Sequence, residues 1–131
     1  SEAEIAAGIL DRNIKSLKSG AYISGVESVK MNFSEWKNVR IIPGAIPDTL
    51  KEVEAEHIAY LHLDMNNSAP EVAALEFFWD RLSPGAIVLM DDYTYHGFRS
   101  IKSGHDAFAK RKNLMIASLP TGQGILIKPA C

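Results

Sequence analysis

Ala86-Ile87-Val88-Leu89-Met90-Asp91-Asp92-Tyr93 is the stretch on which the fold turns. Five apolar residues read as a strand, and the abrupt change to two carboxylates marks where that strand leaves the core. Upstream, residues 58–63 read as a second strand ending at Asp64. Between the two, Ser68 is placed as a helix cap, with Pro70 in the first turn and Glu71 three residues after Ser68, so residues 72–82 should be helical until Ser83-Pro84-Gly85 breaks them. Downstream, a helix is expected over 98–112. Strands over 114–119 and 124–128 should follow, folded around Pro120-Thr121-Gly122-Gln123. Strands separated by helices require right-handed crossovers and a parallel sheet, whereas the closing hairpin adds an antiparallel strand. The fold class is therefore α/β.

Further outward the pattern weakens. Residues 39–42 read as a short strand closed by Pro43-Gly44, and residues 48–54 as a helical turn beside Pro47. Ile5, Ile9, Leu10, Ile14 and Leu17 recur at helical spacing, so residues 2–18 should form an amphipathic helix stopped by Ser19-Gly20. Between 20 and 37 a second short helix should end before Trp36, with Gly25 weakening it. One domain is expected over residues 1–131, with 1–37 a helical N-terminal segment.

Composition narrows the function. The chain has 131 residues, 47% of them hydrophobic, enough for one core without disulfides. Its net charge of −2, with both signs dispersed, gives no basic stripe for a phosphate backbone, so nucleic acid is not expected as a partner. No apolar run approaches the roughly eighteen residues needed to cross a bilayer, so no membrane partner is expected. The single cysteine, Cys131, excludes an intramolecular disulfide and multi-cysteine zinc motifs, and a reducing cytoplasmic setting fits it.

In an open α/β sheet, ligands bind at the carboxyl ends of strands, which directs attention to Asp64 and to Asp91-Asp92. Three carboxylates brought together would repel one another unless a cation compensated them, and an all-oxygen donor set favours magnesium or calcium over zinc. Each aspartate taken singly also reads as a cap for the helix or turn that follows it.

From Asn38 onward the chain also resembles a known family. Asn38-Val-Arg-Ile-Ile-Pro-Gly-Ala-Ile-Pro-Asp-Thr-Leu50, His62-Leu-Asp-Met-Asn66, Phe78-Trp-Asp-Arg-Leu-Ser-Pro-Gly85 and Val88-Leu-Met-Asp-Asp-Tyr93 are similar, in order and spacing, to the second half of the macrocin O-methyltransferases. Those enzymes methylate sugar hydroxyls of macrolide and related antibiotics. The resemblance implies S-adenosylmethionine as cofactor, Mg2+ held by Asp64, Asp91 and Asp92, and a sugar or similar hydroxyl compound as acceptor. It also implies that the Gly44-Ala45-Ile46 turn, with Asp64, lies where the cofactor binds, although a tight turn needs glycine for its own reasons. For the fold it implies a Rossmann-like methyltransferase sheet with helices on both faces.

Two departures accompany the resemblance. Where the family commonly has a second aspartate as proposed base, this chain has Asn66, an amide that accepts no proton at neutral pH. His96, five residues beyond Asp91, is the nearest replacement, though a histidine in a Tyr-His-Gly loop also reads as simple surface. Asn66 and His96 are thus the candidate catalytic positions. The strand and glycine-rich turn that grip the cofactor's methionine and ribose have no counterpart here, so the chain, which opens at Ser1, is expected to be a truncated domain lacking the first two strands of the sheet. The edge beside residues 58–63 would then be open, closed either by direct pairing with residues 38–42 or by a homodimer. The rival reading is a non-catalytic module that binds a small molecule or partner through the old cleft.

Other conspicuous residues have plainer roles. Phe77, Phe78 and Trp79 should pack on the sheet and Trp36 should anchor packing. His62 shares a side of its strand with Asp64, and reads as a core histidine rather than a ligand. Lys110, Arg111 and Lys112 complement a helix C-terminus.

Overall fold

The computed structural model describes residues 25–130. The helix expected over residues 2–18 lies outside them. Contacts divide the chain into two compact units, Ser1–Pro43 and Gly44–Cys131.

In the first unit Gly25, at φ +103°, leads into helix α1 (Val26–Asn32), where Lys30 pairs with Glu27 at 2.9 Å. Trp36 is not the buried anchor expected of it: it is 55% exposed and meets Phe33 edge-on at 6.0 Å. Residues 39–42 form no strand and are no part of the sheet. Apolar, branched composition was the basis for expecting one. A strand exists only where a neighbour takes its amides and carbonyls, and residues 39–42 make no such ladder.

The second unit opens with a 3-10 turn (Leu50–Glu52), whose Leu50 is buried, and continues through β1 (Ile58–Leu63), α2 (Ser68–Trp79), β2 (Leu82–Met90), α3 (Arg99–Arg111), β3 (Ala117–Ser118) and β4 (Gly124–Ile127). The sheet order is β1-β2-β4-β3. β1 runs parallel to β2, and β4 is antiparallel to both β2 and β3, as expected of a mixed α/β sheet closed by a hairpin.

Two local readings are corrected. Ser83-Pro84-Gly85 does not end a helix but lies inside β2: Ile58 pairs with Leu82 and Tyr60 with Ile87, so the extra residues bulge out of the ladder. Gly85, at φ +81°, makes the bend, and its N–H donates to Lys128 O at 2.9 Å, which keeps the segment in the sheet. Ser68 is not the cap of α2. Asn67 is, its side chain accepting from the Ala69 amide at 3.3 Å, while Ser68 Oγ donates to Ser100 O at 2.9 Å.

Residues opposite each other on paired strands share a face. Leu61, Val88 and Leu126 lie on one, together with Leu63 and Met90, and α2 and α3 close over it. Leu75 and Phe78 from α2 and Phe108 from α3 fill that core, and Trp79 meets Phe108 edge-on at 5.2 Å. Phe77 packs against its margin, so the aromatic run of α2 does serve the core. Gly104 permits the two helices to approach, since a Cβ there would lie 2.5 Å from Ser68 Oγ and 2.9 Å from Val72. Tyr60, Ile87 and Ile127 form a row across the opposite face and are 55%, 42% and 57% exposed.

Candidate active site

β1 and β2 end side by side. Leu63 and Met90, both buried, are paired in register, and the Asp91 amide donates to Leu63 O at 2.9 Å. The residue after each strand is therefore forced to the same end of the sheet, where no further ladder covers it. Asp64, Asp91 and Asp92 meet there, one carboxylate oxygen from each lying within 4.8 Å of the others. The Asp92 carboxyl is pushed up to about 6, by burial first and then by the charges of Asp91, Asp64 and Glu71.

Around them the geometry adds residues to which sequence reasoning gave no role. Gln123 Nε2 donates to Asp91 Oδ1 at 2.8 Å, and Thr121 Oγ1 donates to Gln123 Oε1 at 2.9 Å, which fixes the orientation of the amide. The hairpin turn carrying Gln123 is tied down by Thr94, whose N–H and Oγ1 donate to Gly122 O at 2.7 and 3.0 Å. In the sequence Gln123 was only one residue of a turn. His62 Nε2 lies 3.8 Å from Asp91 Oδ1, so this histidine faces the cluster rather than the core.

Behind the cluster, Tyr93 is buried and its hydroxyl donates to Asp106 Oδ1 at 2.5 Å, while Lys102 Nζ reaches both Tyr93 Oη at 3.1 Å and Asp106 Oδ2 at 2.6 Å. Burial works to raise the Asp106 carboxyl, but these two donors outweigh it and hold the group below the usual carboxylate range. β4 crosses so close to Tyr93 that a Cβ at Gly124 would stand 2.6 Å from the ring. Glu71 and His105 are buried to 1% and 0% exposure. The Met65 amide donates to Glu71 Oε1 at 3.0 Å, and His105 Nε2 lies 3.2 Å from Glu71 Oε2. The spacing of Ile101, His105, Phe108 and Ala109 along one side of α3 is the signal that could have revealed the buried histidine.

The remaining candidates lie on loops. Asn66, half-buried, takes φ +52°, a left-handed conformation that asparagine tolerates. His96 is exposed on the loop between β2 and α3. Gly44 has φ +147°, and a Cβ there would run into the Thr49 side chain; Thr49 N and Oγ1 both donate to Ala45 O at 3.1 Å. That turn needs its glycine for local reasons. Ala45 is exposed, and Ile46 packs on the core margin.

Residues 10–117 match the family model for macrocin O-methyltransferase, TylF. The chain belongs to this family. The match reaches back to Leu10, well ahead of the Asn38 at which the resemblance becomes readable by eye. Over 85 residues the chain is 33% identical to the 8-demethyl-8-(2,3-dimethoxy-alpha-L-rhamnosyl)-tetracenomycin-C 4'-O-methyltransferase of Streptomyces olivaceus, covering 62% of this chain and 33% of that protein. Over 74 residues it is 31% identical to the mycinamicin III 3''-O-methyltransferase of Micromonospora griseorubida, covering 53% of this chain and 29% of that one. The chain thus spans about a third of the length of these curated relatives. The structure of the O-methyltransferase NovP superposes with a TM-score of 0.72 over 91% of this chain and 51% of that chain, at 18% identity, which establishes the shared fold. Among the described residues no helix is long and apolar enough to cross a membrane.

Proposed function

We propose that this member of the macrocin O-methyltransferase family forms the metal and acceptor side of an S-adenosylmethionine-dependent O-methyltransferase whose acceptor is a hydroxyl of a sugar-bearing small molecule. The observation that carries the reading is the meeting of Asp64, Asp91 and Asp92 within 4.8 Å at the ends of two neighbouring parallel strands. Both curated relatives are named as O-methyltransferases, one of a rhamnosyl-tetracenomycin and the other of mycinamicin III, which supports a small-molecule acceptor class.

The residues fit a hard divalent cation. Three carboxylate oxygens from two strand ends can approach one centre, no sulfur or paired imidazole competes among the described cluster, and the Asp92 carboxyl is raised by burial first and then by its acidic neighbours, both of which a bound cation would offset. Asp64, Asp91 and Asp92 would hold Mg2+, which, when bound, lowers an acceptor hydroxyl's pKa and fixes it beside the methyl donor. Gln123 aims Asp91 by occupying one of its oxygens. Asn66 offers a hydrogen bond but no basic site, so His96, on the loop leaving the same strand end, is the candidate to receive the acceptor's proton.

For the cofactor, Gly44-Ala45-Ile46 would face the adenine, with Asp64 nearby. The described residues hold no strand followed by a glycine-rich turn for the methionine and ribose, so the chain is read as a truncated domain that is inactive or weakly active by itself. A cytoplasmic setting, and pairing of two copies along the β1 edge, complete the reading.

Titration with Mg2+ and S-adenosylmethionine tests it. Metal binding should be measurable in the parent chain and lost in both Asp64→Ala and Asp91→Ala, with little change in melting temperature because each substitution relieves repulsion. Unchanged metal affinity in both variants would leave the aspartates as turn and helix caps, and a chain that ignores metal and cofactor alike would be the non-catalytic module.

A further inference from the structure

Asp64 is clamped on both sides through its backbone. The carbonyl of the residue before it, Leu63, accepts from the Asp91 amide at 2.9 Å, and the amide of the residue after it, Met65, donates to Glu71 Oε1 at 3.0 Å. The first clamp is ordinary sheet. The second comes from a side chain almost wholly removed from water. Glu71 lies one turn into α2, beyond the position from which a capping-box glutamate normally reaches back, and it passes over the cap residue Asn67 to a site two residues earlier.

Its other oxygen faces His105 of α3 at 3.2 Å, and neither His105 nitrogen has an aligned hydrogen-bond partner among the described residues. The His105 ring in turn stacks on Tyr93, centroids 6.4 Å apart and planes inclined by 22°. Tyr93 is the residue after Asp92. A continuous buried chain therefore runs from the Asp64 turn through Glu71, His105 and Tyr93 to the Asp91-Asp92 strand end, joining from below the two segments that meet at the carboxylates above.

Burying a carboxylate and an imidazole is costly, and a well-packed apolar pair in their place is often neutral or stabilising. Stability alone is therefore a poor reason for Glu71 and His105. We infer that Glu71 and His105 are positioning residues, a buried brace that sets the spacing of the Asp64 and Asp91-Asp92 carboxylates for a divalent cation. This rests on the cation reading of the cluster given above. Groups that orient metal ligands from behind typically change metal affinity by about 10–100-fold when removed.

The test separates folding from metal binding, using the full chain and Mn2+ alone as probe. The double variant Glu71→Leu with His105→Phe should melt near the parent temperature, since the gain from replacing a buried polar pair by an apolar one offsets the acceptor that the Met65 amide loses, yet bind Mn2+ at least about tenfold more weakly. Glu71→Gln should stay near parent affinity, because its amide oxygen still accepts from Met65 N–H. Hydrogen exchange supplies a readout that does not depend on the double variant folding: the Met65 amide of the parent should be protected to the level of the β1 amides. Parent-like Mn2+ affinity in the double variant overturns the brace, as does a Met65 amide exchanging like an exposed loop. Failure of the parent itself to bind Mn2+ sinks the cation site and the brace together, a result distinct from parent binding that the double variant retains.

Discussion

Beneath the sheet, Leu63, Val88, Met90 and Leu126 lie against Leu75, Phe78 and Phe108 with almost no exposure; one or two residues beyond Leu63 and Met90, three carboxylates crowd together at the strand ends. The same two strands deliver both regions. In the first, each side chain adds apolar area removed from water, and neighbours reinforce one another. In the second, neighbours oppose one another, and burial together with those acidic neighbours raises the Asp92 carboxyl. The fold supplies its stability from the helix-covered face and spends part of it at the strand ends, where a ligand can make use of the imbalance.

The largest test of this contrast is Phe108→Ala. It empties the centre of the covered face and should lower unfolding free energy by about 3–5 kcal/mol in a denaturant titration. Next comes Gly104→Ala, which drives a methyl into Ser68 and Val72 where α2 and α3 meet. A loss of about 1–3 kcal/mol is expected, and an unchanged melting temperature would show that the helices are not packed as tightly as their contacts imply.

The strand-end region predicts a smaller effect of opposite sign to the usual carboxylate. Because the folded-state Asp92 carboxyl is pushed up to about 6 from an ordinary value of 3.8, the folded chain keeps a proton that the unfolded chain has released between those values. Stability should therefore fall as pH rises through that window, be fully reduced above it, and be regained on adding Mg2+. After solvent screening the change is on the order of 1 kcal/mol or less, and Asp92→Asn should remove it. Thermal melts at pH 4 to 7 with and without Mg2+ decide the matter; a rise in stability across that window would contradict the crowding. Smallest of all is Ile87→Thr on the opposite face, where 42% of the residue is exposed and a change within about 0.5 kcal/mol is expected.

Much of this was legible beforehand. Ala86 to Met90, residues 58–63 and the hairpin around Pro120 to Gln123 were readable because apolar runs end sharply at turn residues or charges, and Asp64 and Asp91-Asp92 were readable because the strand ends themselves were. Residues 39–42 misled for a physical reason: branched apolar composition is shared by strands and by segments that pack without pairing. Ser83-Pro84-Gly85 misled because a proline and a glycine can bulge a strand as well as stop a helix. Gln123, Glu71 and His105 were not legible as site neighbours, since each makes its decisive contact with a residue six or more positions away.

From residue 58 onward the sequence by itself determined the order of strands and helices, much of the composition of the core and the acidic character of two strand ends, because periodicity and charge are local properties. Tertiary structure alone decided that those ends lie side by side, that Glu71 and His105 are sealed beneath them and that Gln123 reaches Asp91. Such distances depend on register and helix packing, which no local pattern encodes.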